Sequence, residues 1–109
     1  MNWFRRKKIP DPIPEETAAL DGKLLTYVTK RVPDETGTPT DVVVGKGGRF
    51  CAADGFVFLL CGDNEVFRCP AGEAMVGTLL SGNGAMVSGV NIHTGEKETY
   101  VAHFSYYRK

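Results

Sequence analysis

Four tight-turn signals constrain this chain more than anything else in it. Asp54-Gly55, Asp63-Asn64, Gly82-Asn83-Gly84 and Thr94-Gly95 separate the runs GRFCAA, FVFLLC, EVFRC, AMVSGVNI and EKETYVAHF. Gly, Asn and Asp accept the positive φ of a hairpin loop, while the β-branched and aromatic residues of the runs suit a pleated, half-buried surface. Runs this short, bounded this often, leave little room for an amphipathic helix. Thirteen glycines in 109 residues point the same way. The pattern predicts an all-β fold, an antiparallel meander curled into a small barrel or packed as a two-layer sandwich.

The same reading places the remaining elements. KLLTYVTKRV, residues 23–32, reads as a first strand, and residues 33–39 as a polar loop. A short helical turn fits residues 15–20, ended by Gly22. GKGGRF at residues 45–50 has a lysine among glycines but lacks the order of a phosphate-binding loop, so it reads as a bend. EAMVGTLL, residues 73–80, suits a helical stripe or a buried strand, and Gly77 favours strand. HTGEK at residues 93–97 has the letters of a zinc-finger linker, yet no metal ligands stand at finger spacing around it. Read instead as a two-residue loop at Thr94 and Gly95, it sets Val90, Ser88 and Met86 opposite Thr99, Val101 and His103. One face of that hairpin then carries Val87, Tyr100, Ala102 and Phe104.

Composition bounds the molecule to one domain with a tail. Residues 1–19 read as a basic tip, MNWFRRKK, and a proline-rich linker with Pro10, Pro12 and Pro14, and residues 20–109 as a single β domain. The chain has thirteen Lys plus Arg against thirteen Asp plus Glu. Four of the cations are Arg5, Arg6, Lys7 and Lys8, so the rest holds nine against thirteen, a net charge of −4. That balance weighs against nucleic acid as a partner. Cys51, Cys61 and Cys69 cannot all pair with one another, which predicts reduced thiols and a cytoplasmic protein. FVFLLC, the longest apolar run, is too short to span a bilayer.

No catalytic or metal constellation emerges. Cys51, Cys61, Cys69, His93 and His103 are the soft-ligand candidates, and no two stand at a short metal-binding spacing. Cys69 shares a strand face with Phe67 and reads as a small core residue. Asp54, Asp63, Glu65 and Glu73 sit at or beside turns, where acids serve solvation and local hydrogen bonds. An enzyme would have to join Cys69 to His103, and neither lies in a nucleophile motif. The expectation is no enzyme, no metal and no cofactor.

DGFVFLLCGDNEVFRCPAGE, residues 54–73, resembles the paired ribonucleoprotein strands of cold-shock OB-type domains, which implies base stacking on Phe56, Phe58 and Phe67. Asp54 stands where those motifs carry a basic residue, and alternation also permits Phe56, Phe58 and Leu60 to form a core face. Over residues 49–104 the rhythm of strand, turn, apolar strand and short polar strand ending in proline is similar to bacterial pleckstrin-homology and GRAM-like modules. That likeness implies a curled antiparallel sheet and a non-enzymatic adaptor. The expected function is a cytoplasmic interaction module for a protein partner or an anionic membrane surface, compatible with homo-oligomers. Its contact residues would be Trp3, Phe4, Arg5, Arg6, Lys7 and Lys8 in the tip, with Tyr106, Tyr107 and Arg108 at the other end. An OB-like single-stranded nucleic-acid binder is the alternative.

Overall fold

The computed structural model describes residues 12–105. Its elements are α1 (Glu15–Ala18), β1 (Leu25–Pro33), β2 (Pro39–Lys46), β3 (Arg49–Ala53), β4 (Phe56–Cys61), β5 (Asn64–Pro70), β6 (Met75–Thr78), β7 (Gly84–Val90) and β8 (Lys97–Phe104), with a 3-10 turn at Ala71–Glu73. The fold is all-β, as the turn signals predict. The strands form two antiparallel sheets, one ordered β2-β1-β8-β7-β6 and the other β3-β4-β5. The predicted meander holds for the smaller sheet and for β6-β7-β8 of the larger. In the larger one β8 returns to pair with β1, setting Val28 opposite Ala102 and Lys30 opposite Tyr100. No closed barrel forms among the described residues.

Local chemistry accounts for the turns. Asp54 (φ 58°) and Gly55 (φ 82°) make the two-residue loop of β3–β4, with Ala53 opposite Phe56. The next loop lies one residue earlier than Asp63-Asn64, because Gly62 (φ 62°) takes the left-handed position and Asn64 already pairs with Cys61. GKGGRF is a bend, and Gly48 in it is obligatory. At φ 97°, a Cβ there would stand 1.8 Å from the Leu60 carbonyl oxygen. Residues 73–80 contain strand β6, not a helix. Packing at the start reaches back into the segment read as linker, since Thr17 is buried and Ile13 packs against the core.

The loop at Thr94 and Gly95 corrects the expected register. Val90 pairs with Lys97 and Ser88 with Thr99, two residues away from the two-residue-loop register. Residues 91–96 instead fold back on themselves: Thr94 N–H and Gly95 N–H donate to the Asn91 carbonyl at 3.1 and 2.7 Å, and Asn91 N–H to Glu96 O at 3.0 Å. A shift of two preserves every side chain's face, because the strand period is two. Val87, Tyr100, Ala102 and Phe104 therefore share one buried face, as expected.

Buried residues of both sheets belong to one cluster, with Phe50, Leu59, Phe67 and Cys69 from the smaller sheet and Val28, Val87, Tyr100 and Ala102 from the larger. Burying each large apolar side chain contributes about 1.5–3 kcal/mol. The inward face of β4 is Val57, Leu59 and Cys61; Phe56, Phe58 and Leu60 face outward, which reverses the expected core face. FVFLLC is apolar on both faces, so alternation within it carries no direction. The direction comes from β5, where Phe67 and Cys69 oppose Leu59 and Val57.

Candidate functional site

The sheet edges decide where another chain could add. β3 is covered by the segment before β1: Phe50 N–H donates to Lys23 O at 2.9 Å, Gly22 N–H to Phe50 O at 2.7 Å, and Ala52 N–H to Asp21 Oδ1 at 2.8 Å. β5 is covered by the loop after β7, where Ile92 N–H donates to Arg68 O at 2.9 Å and Asn91 Nδ2 to Val66 O at 3.1 Å. The larger sheet ends in β2 and β6. β2 exposes Val42, Val43 and Val44, but its pairing with β1 breaks at Val44, and Pro39, Asp41 and Lys46 punctuate it. A bulge, charges and a proline are devices that discourage strand addition. β6 carries none of them.

Grooves flank β6 on both faces. On the outward face of the larger sheet a groove of about 510 Å³ is lined by Met75, Gly77, Leu79, Met86, Ser88, Thr99 and Arg31 among others. Met75 is 70% exposed, and the Ser88 and Thr99 hydroxyls lie 3.0 Å apart in the groove. A second groove, about 280 Å³, separates the helical turn from β6 and is lined by Glu16, Thr17, Leu20, Val76, Gly77 and Thr78. A Cβ built on Gly77 meets no atom within 4 Å. β6 pairs only with β7 among the described residues. An edge strand with side-chain grooves on either side is the geometry of strand addition, in which main-chain hydrogen bonds bind and grooves select. The sequence signal was Gly77 inside an apolar run; it marks a strand but does not tell that the strand is an edge.

The aromatic trio does not form a platform. Phe67 is fully buried on the inward face, tilted against Tyr100 at 5.2 Å between centroids. Phe56 and Phe58 lie outward, and the Arg68 guanidinium sits over both rings, 5.0 and 4.2 Å from their centroids. Glu65 grips that guanidinium with two bonds of 2.8 Å, from Arg68 Nε and Nη2, and also meets His93 Nε2 at 2.6 Å. The hydrogen bond from Arg68 holds the Glu65 carboxyl below its usual range. The stacking faces are thus occupied by a cation whose charge is already matched.

A second polar cluster is structural. Glu98, 7% exposed, accepts from Asn91 Nδ2 at 2.9 Å, Tyr100 OH at 2.7 Å and Thr94 Oγ1 at 2.9 Å, with Lys30 Nζ at 3.3 Å. Burial on its own would raise its pKa, but these hydrogen bonds and the Lys30 charge outweigh it and lower it to about 2. Burial and the Glu98 carboxylate push Tyr100 well up. Every carboxylate lone pair that faces the core is engaged, so the group holds the loop 91–96 rather than offering a reactive atom.

The soft residues stay apart. Cys51, Cys61 and Cys69 are all buried, and burial raises the first two thiols. Cys69 lies in the common core, whereas His103 stacks on Tyr27 at 4.2 Å on the outward face of the larger sheet. Asp54 and Asp63 belong to turns, and Glu73 to the 3-10 turn before β6. Among the described residues no group of three or more His, Cys, Asp or Glu could hold a metal, and no helix is long and apolar enough to cross a membrane. Trp3, Phe4, Arg5, Arg6, Lys7 and Lys8, and Tyr106, Tyr107 and Arg108, lie outside the described residues. In comparisons with known proteins the chain matches no family model, no curated protein and no solved structure.

Proposed function

We propose that this chain is a non-catalytic interaction module, a two-layer β domain that binds a protein partner by adding an extended segment of it to β6. The observation that carries the reading is the open β6 edge with a groove on each face and vacant space above Gly77. A strand laid there would satisfy the outward backbone groups of β6 and send alternate side chains into the two grooves. The adaptor role implied by the pleckstrin-homology and GRAM-like rhythm agrees with it, and the reduced thiols suit a cytoplasmic setting.

Nucleic acid is the less favoured partner, because Phe67 is buried and Arg68 already covers Phe56 and Phe58. Amide NMR on the labelled chain tests the reading, using a panel of short extended peptides as probes. Shifts gathered at residues 75–78 and 15–20 support it. Shifts confined to β2, or to β4 and β5, reject it.

A further inference from the structure

Taking the strand-addition reading as its premise, the side chains around β6 also select the occupant. A strand beside β6 presents one set of side chains to the outward groove and the alternate set to the groove under the helical turn. The outward groove offers Met75, Leu79 and Met86, unbranched or flexible apolar side chains that adapt to varied aliphatic shapes. Its one cation, Arg31, is held by Asp41 at 3.1 Å, so this side supplies no free charge.

The other groove differs in sign. Glu16 lines it and is exposed, Glu73 is exposed just before β6, and neither forms an ion pair among the described residues. No Lys or Arg lines it. We infer that the segment taken up on β6 belongs to a partner protein and alternates aliphatic with Lys or Arg side chains, the aliphatic set against Met75 and Met86 and the basic set against Glu16. Residues 9–109, with nine cations against thirteen acids, favour the same sign of partner at longer range.

The experiment is fluorescence-anisotropy titration of the full chain with labelled short peptides that alternate valine with lysine, with serine or with glutamate. The lysine peptide is expected to bind about tenfold more tightly than the glutamate peptide, with affinity falling as salt rises. Gly77→Leu, whose side chain enters open space, is expected to leave the fold intact in a thermal melt and to weaken lysine-peptide binding about tenfold. Glu16→Gln, at an exposed position, should weaken it about threefold and flatten the salt dependence. If all three peptides bind alike and Gly77→Leu abolishes each, the basic occupant is wrong and strand addition stands. Unchanged lysine-peptide binding by Gly77→Leu overturns both. Sedimentation showing a dimer of the peptide-free chain that Gly77→Leu dissociates would make the occupant a second copy, and would overturn the inference.

Discussion

Asn91 is the least exposed of the buried polar residues among those described. It is 1% exposed, and its amide donates to Val66 O and Glu98 Oε1 while its oxygen accepts from Arg68 N–H at 3.3 Å and His93 N–H at 3.0 Å. It thereby joins the loop 91–96 to the edge of β5. Asn91→Ala leaves several buried groups unpartnered, so a loss of about 2–4 kcal/mol is expected in urea unfolding. Glu98 sets a pH dependence with a definite sign. Its folded pKa of about 2 lies below the ordinary 4.5, so its contribution is complete above pH 4.5 and drains away as the pH falls toward 2. The held-down Glu65 acts in the same direction. Thermal melts of the parent across that window should fall more steeply than those of Glu98→Gln; parallel curves would show that the carboxylate is not the source. None of this network is legible in the sequence, where Asn91 and Glu98 are seven residues apart and look like polar punctuation.

At the scale of elements, β4 and the Gly47-Gly48 bend carry the sharpest expectations. Phe67 fills the core opposite Leu59, and Phe67→Ala should cost about 3–5 kcal/mol. Phe58→Ala should cost distinctly less, because Phe58 is only partly buried and loses mainly its contact with Arg68. Comparable losses for the two would mean that the faces of β4 and β5 are misassigned. Gly48→Ala combines a left-handed φ with an overlap on the Leu60 carbonyl, so destabilisation of at least about 1–3 kcal/mol is expected by chemical denaturation. The turns of β3–β4 and β6–β7 are legible because their chemistry is local: Asp54, Gly55 and Gly82 adopt the positive φ that Gly permits and Asp tolerates, with no distant partner required. The loop 91–96 departs by two residues from the register its sequence predicts because its geometry depends on β5, a strand more than twenty residues earlier, through Asn91.

Across the whole molecule, stability should grade from the shared core to the open edges. Amide hydrogen exchange is expected to be slowest in β1, β4, β7 and β8, each flanked by strands on both sides, and fastest in β2 and β6 at the ends of the larger sheet. Protection of β6 equal to that of β7 would show that its edge is not free. The sequence by itself determined the all-β class, most strand positions, the buried face of β7–β8 and the burial of Cys69, since turn residues and period-two alternation act within one run of chain. Tertiary structure alone decided that β8 pairs with β1, that Phe56 and Phe58 face away from the core, and that β6 ends the sheet. Each of those depends on which distant strand lies alongside, a choice made by the packing of two sheets on one core and written in no single run of residues.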